Sequence, residues 1–165
     1  MNSPSFDTSE YTKNAGLYVH AKLPAEFGLL LNQLCEDLGL PEADLEELHC
    51  TLMYSRDAVP DSMPIIRPVH NALIPSVQHW KGHDDQIYVV ADVHSMSLIQ
   101  AHATLARAGA EHSFASFSPH VTLGKLETVP DDFDERVEKV NRSLKPNPLH
   151  VVFMGVKAAD CKQGF

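Results

Sequence analysis

The sequence predicts an α+β fold in which two pseudo-symmetric lobes, each with an antiparallel sheet, enclose a central cleft and carry their helices on the outside. Three observations support this expectation. Alternating strands and amphipathic helices follow one another, this order of elements occurs twice, and both copies end in the same short motif. With 165 residues, 44% of them hydrophobic, the chain can bury the core of one compact domain. We therefore expect a single two-lobed domain over residues 15–165, preceded by a disordered tail over residues 1–14.

The first copy of the repeat covers about residues 16–56. The run GLYVHAKL over Gly16–Leu23 alternates apolar and polar residues, as a half-buried strand does. Pro24 then begins a helix with apolar residues at helical spacing, and Gly39 ends it. A second strand, LHCTLMYS, follows at Leu48–Ser55.

The second copy covers about residues 86–126 and has the same order of elements. It consists of a strand, an amphipathic helix and a second strand, at Gln86–Val93, Ser95–Ala108 and Ser118–Leu126. The other predicted elements are a proline-rich loop, two short strands, a charged helix and a last strand, at Arg56–Pro68, Val69–Ile74, Val77–Trp80, Asp131–Leu144 and Leu149–Ala158. The first strands of the two copies are 70 residues apart and the motif strands 71. This spacing indicates a duplicated unit whose equivalent residues face each other.

Each copy ends in the motif His-x-Thr-Leu, as HCTL at His49 and as HVTL at His120. In a strand, side chains two residues apart point to the same face. His49 and Thr51 therefore point together, as do His120 and Thr122, while the residues between them turn to the core. Two motifs at equivalent positions of a repeat favour a functional site over two unrelated surface histidines.

A third copy of the motif, HATL at His102, lies in the predicted helix of the second repeat. Side chains two residues apart diverge around a helix, so His102 and Thr104 do not share a face. This copy also falls outside the spacing of the repeat. We interpret it as a coincidence of sequence.

The chemistry that fits the two strand motifs is phosphodiester cleavage. Two imidazoles on opposite sides of one phosphorus supply the base and the acid that this reaction requires, because histidine titrates near neutral pH. Each threonine hydroxyl can donate a hydrogen bond to a non-bridging phosphate oxygen, and this bond strengthens as charge builds in the transition state. The predicted catalytic residues are thus His49, Thr51, His120 and Thr122. No cofactor or metal is required, and the sequence leaves open which histidine is the base.

A metal site is not expected elsewhere. His79 and His83 have the spacing of metal ligands and are followed by two aspartates. Residues at this spacing converge only on a helix, and Gly82 within a polar run predicts a loop.

HCTL and PHVTL, each at the end of a strand–helix–strand unit, resemble the paired motifs of the 2H phosphoesterase superfamily over about residues 16–158. Within this superfamily the chain is most similar to the phage anti-CBASS nucleases, on the segments GLYVHAKL, LHCTLMYS and HSFASFSPHVTLGK. These nucleases degrade the cyclic di- and trinucleotide messengers that bacteria use to trigger antiphage death. The resemblance implies a 2H-like fold and the four catalytic residues given above. It also implies attack at a 3′–5′ phosphodiester of a cyclic oligonucleotide such as 3′,3′-cyclic GMP–AMP, ring opening to a linear product, and a phage protein acting in the host cytoplasm.

Two aromatic residues are candidates for substrate binding. Tyr18 lies on the polar face of the first strand, where its ring can stack on a nucleobase. Trp80, the only tryptophan, lies in a loop-like segment from which it can close over a base as a lid. Ordinary packing is the alternative for both. Lys22 and Lys125 are candidates for offsetting phosphate charge, with solvated surface lysines as the alternative.

Composition limits the partners. The net charge is −9, and the 13 lysines and arginines are scattered, whereas binding of long nucleic acid relies on a basic stripe. Three cysteines without a C-x-x-C pair are typical of a reducing cytoplasm, and neither a leader nor a membrane-spanning run is expected.

Two alternative functions stay open: an enzyme acting on 2′,3′-cyclic-phosphate RNA ends, and a non-catalytic sponge for a cyclic nucleotide. The sequence does not address the oligomeric state.

Overall fold

The computed structural model describes residues 3–114 and 116–161, which form nine strands and three helices. The predicted α+β class is confirmed. The strands are β1 Phe6–Glu10, β2 Leu17–Lys22, β3 His49–Ser55, β4 Val69–Ile74, β5 Val77–Lys81, β6 Ile87–Asp92, β7 His120–Leu126, β8 Leu149–Met154 and β9 Val156–Ala159. The helices are α1 Ala25–Leu38, α2 Met96–Arg107 and α3 Phe133–Leu144. None of these three helices is long and apolar enough to cross a membrane.

Seven strands form one sheet in the order β1-β9-β2-β3-β7-β6-β5, and β4 with β8 forms a separate two-stranded sheet. This differs from the predicted pair of antiparallel sheets in two respects. The motif strands β3 and β7 are hydrogen-bonded neighbours, so both repeats contribute to a single sheet. In addition, β1 pairs with β9 in parallel. The junction of the repeats is narrow, because β3 and β7 have one registered pair, Cys50 with Val121. Both side chains are fully buried, so the apolar core joins the two halves at this point.

The two repeats share one strand register. Each residue pair between β2 and β3 has a counterpart between β6 and β7, displaced by 70 residues in the first strand and 71 in the motif strand. Both pairings also shift register at the same place, after Val19 in the first repeat and after Val89 in the second. In β3 this bulge turns both Leu52 and Met53 into the core. The backbone arrangement around the two motifs is therefore the same.

The helices join the core that contains the Cys50–Val121 pair. Helix α1 follows Pro24 directly and ends at Gly39, whose φ of 73° permits the left-handed closing turn. Helices α1 and α3 pack against each other, and α1 also packs against β7 and α3 against β5. Helix α2 packs against β3 and β4. Their buried side chains belong to one continuous cluster with Cys50 and Val121. The opposite face of the motif strands is thus left for the histidines and threonines.

Three segments differ from the sequence prediction. Strand β1 lies within the predicted disordered tail, of which residues 1 and 2 are outside the described residues. Its exposed polar residues after Phe6 show no alternation, and it is added to the sheet through backbone pairing with β9. The predicted last strand divides into β8 and β9 at Gly155, where φ is 94°. The predicted short strand Val77–Trp80 is confirmed as β5, and Trp80 pairs there with Tyr88, so the loop-like segment that was also expected around Trp80 is wrong.

Candidate active site

The structure brings the two motifs to neighbouring positions on one face of the sheet. Strands β3 and β7 are antiparallel and in register at Cys50 and Val121, whose side chains point into the core. Strand alternation places the flanking residues on the other face, with His49 on the side of Thr122 and Thr51 on the side of His120. All four side chains are half-buried. The predicted catalytic residues therefore share one surface, and their catalytic role stays a prediction.

Both motif histidines are oriented in the same way. Nδ1 of His49 lies 2.7 Å from the carbonyl oxygen of Glu47, and Nδ1 of His120 lies 2.7 Å from the carbonyl oxygen of Ser118. A carbonyl only accepts, so each Nδ1 carries the proton and donates it. In the neutral imidazole Nε2 then has a free lone pair. Each histidine is thus held by a backbone carbonyl two residues earlier, which leaves Nε2 as the acceptor atom of the ring.

Tyr18 reaches the first motif from the neighbouring strand β2. Its hydroxyl lies 3.0 Å from Nε2 of His49 and 3.4 Å from Oγ1 of Thr51. Burial raises the pKa of the Tyr18 phenol, so the hydroxyl keeps its proton and donates it to Nε2. The Tyr18 ring also makes an edge contact with Tyr54, with centroids 6.1 Å apart. The structure therefore places this candidate binding residue directly at the predicted site.

Trp80 reaches the second motif from the other half of the sheet. Its ring centroid lies 5.0 Å from that of His120, and the two planes are nearly perpendicular, at 89°. Trp80 is half-buried and belongs to β5, so its backbone is held in the sheet. This position does not support the mobile loop that the sequence suggested. It is compatible with a nucleobase lying against the ring, and that role stays a prediction.

A third histidine at the site, His20, was not predicted to be functional. It pairs with Thr51 across the strands, and its ring centroid lies 5.2 Å from that of His49. Burial, together with the neighbouring His49, lowers the pKa of His20 to about 4, so its ring is neutral at physiological pH. Nδ1 of His20 is buried and has no hydrogen-bond partner among the described residues. The signal was present in GLYVHAKL, where strand alternation puts His20 on the same face as Tyr18.

The second repeat has Val90 in place of His20, and Val90 is fully buried. The two halves of the site therefore share a backbone but differ in polarity. One half presents a third imidazole, while the other presents an apolar side chain next to Thr122.

The residues opposite the two histidines carry opposite charges. Lys22 pairs with His49, and Asp92 pairs with His120. The Asp92 carboxylate accepts hydrogen bonds from the Ser76 hydroxyl at 2.7 Å and from the Gln78 amide at 2.6 Å. Sequence reasoning missed Asp92, because its significance depends on the cross-strand register.

The two candidate lysines differ in their surroundings. Lys22 is exposed and stands beside the first motif. Lys125 is also exposed, and its ammonium lies 4.8 Å from the centroid of the Tyr88 ring, a cation–π contact. Tyr88 occupies the position in the second repeat that Tyr18 occupies in the first. Contact of Lys22 or Lys125 with a substrate phosphate stays a prediction.

The third His-x-Thr motif lies outside this site, as predicted. His102 and Thr104 both belong to α2, and their contacts diverge. His102 donates to the carbonyl of Leu52, whereas the Thr104 hydroxyl bonds back to Gln100 in its own helix.

The histidines at 79 and 83 do not form a metal centre in the described part of the chain. His79 lies in β5 and contacts Asp134 with a separation of 2.9 Å between Nε2 and Oδ1. His83 is exposed beyond the end of that strand. Among the residues that the structure describes, no group of three or more histidine, cysteine or acidic residues is arranged to hold a metal ion.

The fold and the site together define an α+β protein with two histidine–threonine pairs on one face of a shared sheet. A family model described as Anti-CBASS protein Acb1 matches residues 15–148, and the chain belongs to this family. It is similar to the Anti-CBASS protein Acb1 of Vibrio phage KVP40, with 28% identity over 146 residues that cover 87% of this chain and 95% of the relative. It is also similar to the Anti-CBASS protein Acb1 of Enterobacteria phage T4, with 32% identity over 112 residues that cover 67% of this chain and 72% of the relative. The predicted resemblance to phage anti-CBASS proteins is confirmed, and membership in the wider 2H superfamily stays a prediction.

Proposed function

We propose that this protein is a metal-independent phosphodiesterase that hydrolyses the 3′–5′ bonds of cyclic di- and trinucleotide messengers, such as 3′,3′-cyclic GMP–AMP. It thereby counteracts CBASS antiphage defence in the host cytoplasm. The observation that carries this proposal is the equivalence of His49 and His120, each of which donates Nδ1–H to a backbone carbonyl two residues earlier and so keeps Nε2 as its acceptor. The family description supports the biological context. A 2H-like arrangement, in which each repeat forms one half of a cleft, belongs to the same proposal.

The two histidines divide the proton transfers of ring opening. The neutral Nε2 of one histidine takes the proton of the ribose 2′-hydroxyl while the 2′-oxygen bonds to phosphorus. The other histidine, in its imidazolium form, gives the Nε2 proton to the 5′-oxygen as the bond from that oxygen to phosphorus breaks. The product is a linear oligonucleotide with a 2′,3′-cyclic phosphate, which water opens with the two roles exchanged. Two imidazoles supply every proton transfer in this sequence, which is the reason for proposing chemistry without a metal.

The threonines stabilise the charge that develops on the phosphate. Thr51 and Thr122 lie on the same face as the histidines, one strand step further on. Their hydroxyls donate to the two non-bridging oxygens, and these bonds strengthen as the pentacovalent state gains negative charge. The roles of the threonines are equivalent because their positions in the two repeats are equivalent.

The aromatic residues give the site its preference for nucleotides. Tyr18 stands at the first motif and Trp80 at the second, so each half offers one aromatic ring beside its histidine. A cyclic dinucleotide carries two bases on one ring of two phosphates, and each base can stack on one of these side chains. A net charge of −9 argues against a long nucleic acid, which would be repelled beyond the site itself.

The first experiment is to incubate the purified protein with 3′,3′-cyclic GMP–AMP in EDTA and to separate the products by chromatography. A linear product in the presence of chelator is expected. The variants His49→Ala and His120→Ala should form it at least about 100-fold more slowly, while His83→Ala, which changes an exposed histidine away from the site, should match the wild type. Linear product that requires added divalent metal would contradict the metal-independent mechanism.

Two other outcomes would replace the proposal. Conversion of a 2′,3′-cyclic-phosphate RNA end, with the cyclic dinucleotide unchanged, would identify an RNA-end phosphodiesterase. A cyclic dinucleotide that binds and is recovered intact after long incubation would identify a sponge.

A further inference from the structure

We propose that His102 is a positioning residue that holds the two motif strands in register at their junction, a role that rests on the proposed function. The junction needs such a contact, because β3 and β7 share one registered backbone pair, Cys50 with Val121. Beyond that pair the relative position of the two motifs depends on contacts outside the ladder between β3 and β7. His102, on α2, contacts both sides of the junction.

The first contact is with β3. Nδ1 of His102 lies 2.6 Å from the carbonyl oxygen of Leu52, the residue that follows Thr51. The carbonyl accepts, so Nδ1 carries the proton. Leu52 is also where the β3 bulge begins, and at a bulge a ladder hydrogen bond is lost. The His102 imidazole therefore gives the backbone of β3 a hydrogen bond at the residue where the strand ladder is interrupted.

The second contact is with the segment that leads into β7. The His102 ring stacks on Phe117, with centroids 4.0 Å apart and an angle of 4° between the planes. Phe117 precedes Ser118, whose carbonyl accepts the Nδ1–H of His120. One imidazole thus links the backbone beside Thr51 to the backbone that orients His120.

A second imidazole reinforces the same link. His112 makes an edge contact with His102, with centroids 5.1 Å apart, and its Nδ1 accepts the backbone N–H of Tyr54 at 3.2 Å. The next residue, Ser113, donates its N–H to the Tyr54 carbonyl at 2.8 Å. The chain that enters β7 is therefore laid along the second half of β3, with His102 packed against it.

This arrangement gives a physical role to the HATL motif, which we interpreted as a coincidence. Reaction rates depend steeply on the placement of acid and base, and a misplacement of about 1 Å can cost about 100-fold. A ring with a polar atom at the δ position can both stack on Phe117 and donate to Leu52. Phenylalanine keeps the ring without the donor, and asparagine keeps a donor at the δ position without the ring.

The test uses these two substitutions in the full chain, His102→Phe and His102→Asn, with Thr104→Ala as the matched control on the same helix. We expect kcat for the cyclic dinucleotide to fall about tenfold in each His102 variant, with KM within about twofold of the wild type. Thr104→Ala should leave both constants unchanged. Urea unfolding of each variant identifies any that fails to fold, and the other substitution then carries the test.

A second readout does not depend on turnover. The imidazole NMR signals of His49 and His120 should both shift in the His102 variants and stay in place in Thr104→Ala. Unchanged signals in both His102 variants would overturn the positioning role. If the wild type fails to cleave the cyclic dinucleotide, the proposed function is wrong, while the NMR comparison still decides whether His102 positions the two motifs.

Discussion

The hydroxyl of Tyr18 donates a hydrogen bond to Nε2 of His49 across 3.0 Å, and no equivalent contact exists for His120 among the described residues. The ring of His120 instead packs nearly perpendicular to the ring of Trp80. The free protein therefore holds its two otherwise equivalent histidines in different surroundings. In the proposed reaction, a substrate oxygen has to displace the Tyr18 hydroxyl before it can reach Nε2 of His49.

Substituting Tyr18 separates the role of its ring from that of its hydroxyl. Tyr18→Phe keeps the ring, so we expect KM for a cyclic dinucleotide to stay within about threefold of the wild type. Tyr18→Ala removes a stacking surface worth about 1–3 kcal/mol, so KM should rise by roughly tenfold or more. Steady-state kinetics on both variants measures this difference. Equal KM values for Tyr18→Phe and Tyr18→Ala would show that the ring does not bind a base.

The two kinds of motif residue should contribute unequally to turnover. His49→Ala and His120→Ala each remove a proton-transfer group, which is worth about 100- to 10,000-fold in rate. Thr51→Ala and Thr122→Ala each remove one hydrogen bond to a charged phosphate, worth about 1.5–3 kcal/mol, or roughly 10- to 160-fold. Single-turnover rates rank the four variants, with circular dichroism to verify the fold and His83→Ala as the control. A histidine variant that keeps close to the wild-type rate would rule out the two-histidine mechanism.

Much of the candidate site could be predicted from the sequence, because it depends on short-range periodicity. Alternation along β3 and β7 determines that His49 and Thr51 share a face, and the repeat spacing determines that His120 and Thr122 repeat the arrangement. The same periodicity separates the helical HATL motif from the two that lie on strands.

The remaining features depend on contacts between distant segments. Strand β1 has one apolar residue, Phe6, at its start, so its pairing with β9 leaves no alternation in the sequence. The joining of both repeats into one sheet rests on the single pair Cys50–Val121, and an apolar residue in a motif does not reveal its partner. The helical position and the repeat spacing both set the HATL motif apart from the other two, and the contacts of His102 with Leu52 and Phe117 appear only in three dimensions.

Trp80 should report ligand binding directly, because it is the only tryptophan and its ring lies 5.0 Å from that of His120. A nucleobase stacked on the indole should quench its fluorescence. The titration uses His49→Ala, which should bind a cyclic dinucleotide without cleaving it. Trp80→Phe should retain most of the affinity in a cleavage assay, Trp80→Ala should raise KM by roughly tenfold, and Lys81→Ala serves as the neighbouring control. Saturable binding measured by calorimetry without any change in emission would exclude Trp80 from the binding site.

His20 should make the protein less stable in acid. Its folded-state pKa of about 4 lies below the ordinary histidine value of 6.5, with burial as the main cause. Between these values the unfolded chain takes up a proton that the folded chain refuses, so the free energy of unfolding falls as pH drops from about 6.5 toward 4. The slope from one such group is at most about 1.4 kcal/mol per pH unit.

His20→Val tests this expectation. The substitution installs the residue that the second repeat has at the equivalent position, Val90, and removes the unpartnered Nδ1. Urea unfolding at pH 7, 6, 5 and 4.5 should show a variant at least as stable as the wild type at pH 7 and increasingly more stable below pH 6, because its stability curve is flatter. His70 and His112, whose pKa values burial also lowers, should leave a residual slope in both proteins. His83→Ala, at an exposed position, should follow the wild-type curve, and parallel curves for His20→Val and wild type would show that His20 titrates normally in the folded chain.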